Sequence, residues 1–376
     1  MIRIPAVEPV PAGVVTLDDH ERHARTRLDD NAWAYFAGGA GDEITVRANR
    51  SAWDAIQLST RVLRDLKGGH TRVSLLGRTL AHPILLAPVA FQRMAHPDGE
   101  IATAFAAGMQ GAGLVLSSQA STPMEAVAQI VLGEAGRGPL WFQLYFQHDR
   151  AFTLELVRRA ERAGYEALVV TVDAPCSGAR DRERRAGFVL PPGVSAVNLE
   201  ALPPPQPVTL EAHQSRMFDG LLRHAPTWED IAWLSRETTL PVLLKGITHP
   251  GDARMARDTG AAGIIVSNHG GRTLDTMPPT AALLPRIRAS LGKEYPVLVD
   301  GGIRRGTDVL KAIALGADAV LVGRPCVYGL ANAGAMGVSH VLRLLRDELE
   351  IAMALCGCRT LRDAGDSLLT LPNPLY

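Results

Sequence analysis

The sequence predicts an α/β fold, a closed (β/α)8 barrel, and three observations carry that reading. First, one unit recurs: a helical stretch ends at glycine, a small residue follows, and a short β-branched run ends in polar residues. "AGYEALVVTVDAP" from Ala163, "TGAAGIIVSNHGG" from Thr259, "LGADAVLVGRP" from Leu315 and "GAGLVLSSQ" from Gly111 all show it. Glycine closes each helix because it tolerates the left-handed backbone there. Second, the runs are apolar at every position, as in parallel strands buried on both faces. Third, eight such runs can be counted, starting near residues 83, 113, 140, 167, 241, 263, 296 and 319. Eight β-then-α units close into a barrel or open into a doubly wound sheet. The count favours the TIM barrel, as does the lack of a G-x-G-x-x-G turn after the first strand.

Amphipathic stretches such as "AFTLELVRRAERAG" and "GTDVLKAIALG" supply the helices between strands. Two parts lie outside the repeat. Residues 1–80 read as a helical N-terminal extension, where Thr16 with Asp19 resembles a capping box. Residues 186–225 form a long, proline-rich insertion after the fourth strand, of a length usual for lids or partly disordered segments. The chain is expected to be one domain over residues 1–376, with the barrel over 81–376.

Composition narrows the function. Lys+Arg and Asp+Glu number 39 each, so no net field draws the chain to nucleic acid or an anionic membrane. No apolar run approaches the roughly 20 residues that cross a bilayer. "MIRIPAVEPVPAGVV" lacks the basic start and apolar core of a signal peptide, so the expected compartment is the cytoplasm. Four cysteines are too few for a disulfide framework, and Cys356 and Cys358 have no second Cys/His pair nearby to complete a metal site. A small-molecule enzyme with no metal is expected.

In this fold the site lies where the C-terminal ends of the strands converge. Those ends carry Ser117 and Ser118, Gln143 and Tyr145, Thr171 and Asp173, Lys245, His269 with Arg272, Asp300-Gly301-Gly302 with Arg304, and Gly323-Arg324. The last two units read as a phosphate site, since glycine lets the main chain approach an anion and the arginines add charge. Lys245 ends a buried run and needs a partner: a substrate carbonyl as a Schiff base, an anionic cofactor atom, or a carboxylate. His269, flanked by glycines and followed by Arg272, reads as catalytic. Asp173 could orient its ring and stabilise the imidazolium.

These residues match a family. "SNHGGRTLD" resembles the S-N-H-G-[AG]-R-Q signature of FMN-dependent 2-hydroxy acid oxidases and dehydrogenases, with Thr273 where glutamine is usual. "AYFAGGAGDEITVRANRSAW", "APVAFQRMAHPDGE", "WFQLYFQHDR", "VTVDAPCSGARDRERRAGFVLPPG" and "VLVDGGIRRGTDVLKAIALGA" extend the likeness over nearly the whole chain. The resemblance implies that Tyr35, Tyr145, Arg180 and Arg272 bind the substrate carboxylate, that His269 is the base and that Asp173 is its partner. It implies that Lys245 sits beside flavin N1 and O2, where charge collects on reduction. Gln143, Thr171, Ser117 and the Pro88-Val89-Ala90 backbone would hold the ring, and Ser267 the ribityl chain or ring. Asp300, Gly301, Gly302, Arg304, Gly323 and Arg324 would take the ribityl and phosphate. Members of this family usually form homotetramers.

Oxidation of an (S)-2-hydroxy acid to the 2-oxo acid follows. Ala90 stands where oxygen-using members tend to carry alanine, so O2 is the expected acceptor, giving H2O2; a dehydrogenase with another acceptor is the alternative. Gln119 and Ser177 replace the bulky apolar side chains of glycolate-type members that resemble this chain. The expected substrate is therefore larger than glycolate, such as mandelate or 4-hydroxymandelate. A lyase with a Schiff base on Lys245 is the reading from another class.

Overall fold

The computed structural model describes residues 5–205, 207 and 209–371. Eight parallel strands close into a barrel: β1 (Ile84–Leu86), β2 (Gly113–Ser117), β3 (Leu140–Leu144), β4 (Ala167–Thr171), β5 (Val242–Ile247), β6 (Gly263–Val266), β7 (Val297–Val299) and β8 (Ala319–Val322). Each pairs with its successor in sequence, and the pairing of Val320 with Ile84 closes β8 onto β1. Helices α1 (Leu17–Arg27), α2 (Asp30–Ala37) and α3 (Ile44–Ala55) precede the barrel. A helix then follows every strand: α4 (Gly99–Gln110), α5 (Met124–Leu132), α6 (Arg150–Ala163), α8 (Trp228–Glu237), α9 (Pro250–Asp258), α10 (Thr280–Leu291), α11 (Gly306–Ala314) and α12 (Arg324–Leu355). The short α7 (Asp181–Arg185) opens the insertion between β4 and α8.

Two cores explain why the strands are apolar at every position. Alternate residues, such as Leu86, Leu116, Phe142, Val170 and Leu244, pack outward against the helices. The others, Leu85, Val115, Trp141, Val169, Leu243, Ile265, Leu298 and Leu321, fill the barrel interior. A hairpin of Val73–Leu75 and Arg78–Leu80 joins that inner cluster through Leu75 and Leu80. At the other end the inward alternation continues, but its chemistry changes. Two residues beyond each inner apolar group stand Ala87, Ser117, Gln143, Thr171, Lys245, Ser267, Asp300 and Gly323. A strand repeats its side-chain direction every second residue, so one period delivers eight positions to one ring.

The N-terminal segment packs on this rim. Trp53 Nε1 donates to the Gly301 carbonyl at 2.8 Å, and Asn49 and Asn268 exchange two amide bonds of 2.9 Å. Thr16 caps α1 by accepting from the Asp19 N–H, and Asp19 accepts in turn from the Val15 N–H instead of from the cap residue's own amide. The insertion is tied at its near end, where Phe188 stacks on Tyr35 with ring centroids 5.0 Å apart and Asn31 makes two bonds to the Val189 backbone. No described helix is long and apolar enough to cross a membrane. Cys356 and Cys358 are buried free thiols.

Candidate active site

A cavity of about 920 Å³ opens at the C-terminal rim of the barrel. Its wall includes Tyr35, Pro88, Val89, Ala90, Ser117, Gln143, Tyr145, Thr171, Arg180 and Lys245. His269, Arg272, Asp300, Gly301, Gly302, Arg304, Gly323 and Arg324 complete the predicted set on that wall. Two predicted residues stand behind it. Asp173 lies against His269, and Ser267 lies under Lys245 with its hydroxyl also accepting the His269 N–H at 3.1 Å. Ser267 thus braces two site residues, whereas the resemblance had it touching the cofactor.

The His269–Asp173 pair is built by local backbone. His269 adopts φ 55°, a left-handed conformation uncommon for a residue with a Cβ, and Gly270 and Gly271 continue the turn at 62° and 75°. Its Nδ1 lies 2.9 Å from Asp173 Oδ1. Desolvation raises the Asp173 pKa, but its pairing with His269 and the nearby Lys245 charge outweigh it, so the pKa lies below the ordinary carboxylate value and the group is ionised. Desolvation holds His269 below the ordinary histidine value, with Asp173 opposing, so the ring is neutral at neutral pH. Facing an ionised carboxylate, Nδ1 must carry the ring's proton and donate it. Nε2 is therefore left with a free lone pair. Gly246 makes room for this pair: it has φ 113°, interrupts the β5–β6 register, and a Cβ there would lie 2.4 Å from that of Asp173.

Lys245 has found the carboxylate partner that its buried position demanded. Its Nζ lies 3.0 Å from Asp300 Oδ2 and donates to Ser267 Oγ at 2.9 Å. Desolvation alone would lower its pKa, yet Asp300 and Asp173 raise it above the ordinary lysine value. A Schiff-base lysine needs a neutral amine, so this arrangement opposes the lyase reading. Tyr145, beside Lys245, is pushed up to about 12 by desolvation and keeps its proton.

Two guanidiniums face the cavity near His269. Arg272 donates to the carbonyls of Tyr35 and Gly38, lies 4.9 Å over the Tyr35 ring, and reaches Glu183 Oε1 at 3.1 Å. Arg180 meets the same Glu183 at 3.4 Å, and its buried Nε has no hydrogen-bond partner among the described residues. Sequence reasoning missed Glu183, which sits in the charge run "ARDRERR" and reads there as solvated. Its spacing of three from Arg180 was the available signal.

The opposite end is suited to a polyhydroxylated phosphate. Arg324 donates to the carbonyls of Phe36, Gly270 and Gly38 and has no carboxylate partner among the described residues; loss of solvent draws it down to about 10. Arg304 donates to the Ile303 carbonyl at 3.1 Å, and its one carboxylate partner among the described residues is a distant Glu21, at 3.6 Å. Asp300 Oδ1 is buried without a hydrogen-bond partner among the described residues, an acceptor suited to a donor such as a hydroxyl. Gly301 and Gly302 have φ of 96° and 81°, backbone that other residues rarely adopt. These features fit FMN, whose ribityl hydroxyls donate and whose phosphate is anionic.

The geometry thus defines an enzyme site with an anion pocket at one end and a neutral imidazole beside paired arginines at the other. Comparison with known proteins narrows the class. Residues 24–371 match the model of the FMN-dependent dehydrogenase family. The chain is 50% identical to an L-lactate oxidase of Alicycliphilus denitrificans, covering 96% of this chain and 98% of that one. It is 44% identical to glycolate oxidase 1 of Zea mays, covering 96% and 99%. A solved structure of mandelate oxidase with (S)-2-phenylpropionate superposes with a TM-score of 0.84 at 44% identity, covering 95% of this chain and 98% of that one. The chain belongs to the FMN-dependent dehydrogenase family. It is an FMN-dependent 2-hydroxy acid oxidase, an oxidoreductase acting on a CH–OH group.

Proposed function

We propose that this enzyme oxidises an (S)-2-hydroxy acid larger than glycolate to its 2-oxo acid, with O2 reoxidising the cofactor to give H2O2. The observation that carries the reading is His269, held by Asp173 at 2.9 Å, on the same cavity wall as Arg272 and Arg180. The two guanidiniums, with Tyr35 and Tyr145, hold the substrate carboxylate; parallel N–H donors fix its plane and so the direction of C2. His269 Nε2 takes a proton from the substrate, and Asp173 stabilises the imidazolium that results. Lys245, Ser117, Gln143, Thr171 and the Pro88–Ala90 backbone hold the FMN ring. Asp300, Gly301, Gly302, Arg304, Gly323 and Arg324 hold its ribityl phosphate. When bound, FMN accepts the two electrons that leave C2. Phe188 and the far end of the insertion, through Met217 and Leu221, line the same cavity.

An aryl acid such as mandelate or 4-hydroxymandelate is favoured by Gln119 and Ser177, which line the cavity and which the resemblance sets against bulkier apolar groups in glycolate-type members. Lactate is the second reading, favoured by the 50% identity to a lactate oxidase. Steady-state rates on glycolate, lactate and mandelate, each with and without O2, test both. The expected result is O2-dependent H2O2 formation with glycolate the poorest of the three. A preference for glycolate, or turnover needing a dye in place of O2, would overturn the corresponding half.

A further inference from the structure

We propose that Glu183 is a positioning residue that sets the charge of the substrate end, leaving one uncompensated positive charge and so restricting the site to acids with a single carboxylate. The inference rests on reading Arg180 and Arg272 as the carboxylate binders.

Among the described residues only two carboxylates line the cavity, Glu183 and Asp300. Asp300 is engaged by Lys245 at 3.0 Å. Glu183 is engaged by both guanidiniums, at 3.1 Å from Arg272 and 3.4 Å from Arg180. It is held for this role, because α7 places it one turn from Arg180 and its side chain is only 13% exposed. The other partners of Arg272 are neutral carbonyls, which satisfy its donors without cancelling its charge. Two guanidiniums against one carboxylate leave a single positive charge, the complement of a monoanion.

A diacid brings a second negative charge that must lie elsewhere. The wall beyond the arginines carries Phe91, Gln119, Ser177 and Met217 and no further Arg or Lys; of its two histidines, His148 is tied to the Pro203 carbonyl at 3.0 Å and His224 lies at the far end of the insertion. An enclosed anion without a counter-charge is strongly disfavoured. Selection against diacids is thus electrostatic.

The test uses the FMN-loaded enzyme and two unreactive probes, propanoate and succinate, titrated by their perturbation of the flavin absorbance. The parent is expected to bind propanoate well and succinate poorly. Glu183→Gln keeps the shape and removes the charge, and should tighten succinate roughly tenfold more than propanoate. In parallel, kcat/KM for malate should rise relative to lactate. Glu183→Asp should restore the parental ratio. A merely structural Glu183 would weaken both probes together, so an unchanged ratio in Glu183→Gln overturns the proposal. So does a parent that binds succinate as well as propanoate, a result that needs no variant to fold. Failure of the underlying reading looks different: Arg272→Lys would then bind propanoate with parental affinity.

Discussion

Arg272 and Arg324 both reach across the cavity wall to main-chain carbonyls of the segment around Gly38, yet their electrostatic settings differ. Arg272 adds Glu183 to its carbonyls, whereas Arg324 has carbonyls alone among the described residues. Desolvation lowers both, and for Arg272 Glu183 works against it. At the β6 end the protein supplies part of the counter-charge itself, one carboxylate for two guanidiniums. At the β8 end the polypeptide leaves that to a ligand, in keeping with a permanently held phosphate. A substrate that must arrive and leave as a different acid cannot be met by so strong a field, and Glu183 moderates it.

Variants can break or sharpen this contrast. The largest effect is expected at the base: His269→Ala should lower kcat by about 10²–10⁴ with FMN still bound, checked by stopped-flow reduction and by flavin content. Normal turnover would remove His269 from the mechanism. Next, Arg324→Leu should weaken FMN retention by on the order of 100-fold, because it deletes a buried charge that has no carboxylate partner among the described residues. Arg272→Leu should do the reverse. It keeps FMN, loses carboxylate binding and leaves Glu183 to Arg180 alone, costing about 1–3 kcal/mol by denaturant unfolding. Loss of FMN from both variants would erase the distinction.

The pH dependence carries a sign. His269 works unprotonated, so kcat/KM should rise with pH as the ring loses its proton. Its pKa is held below the ordinary value of 6.5, so the midpoint should lie below pH 6.5. Asp173 raises that pKa, so Asp173→Asn should move the midpoint lower still while cutting the plateau by about 10². A midpoint above that of the parent would show that Asp173 does not act through the ring. The smallest effect is expected at Gly246→Ala, where φ 113° and the contact with Asp173 predict a loss of roughly 1–3 kcal/mol by thermal unfolding.

How much of this was legible follows from what each contact is made of. The barrel could be read because eight doubly buried strands leave eight apolar runs, and the rim because period-two alternation carries straight through into Ser117, Gln143, Thr171, Lys245 and Asp300. The signature around His269 added the base. Glu183 stayed hidden because a carboxylate among arginines reads as solvated until a helical turn folds it inward. The Phe36 and Gly38 acceptors were invisible, since a carbonyl belongs to every residue and marks none. The pairing of Lys245 with Asp300 needed closure of the barrel, which brings strands five and seven to one ring.

The grip of Arg324 on the Phe36 carbonyl spans 288 positions of chain. A segment near α2 is thus seated by a strand end that follows it by most of the barrel, and α1 and α2 must wait until β8 is made. Such long-range closure is slow, because the entropy of the intervening loop must be lost before the contact forms. Until then the waiting helices expose apolar faces that invite chaperones or self-association. Cofactor present during synthesis would reward that final seating, linking the yield of folded enzyme to the flavin supply of the cell.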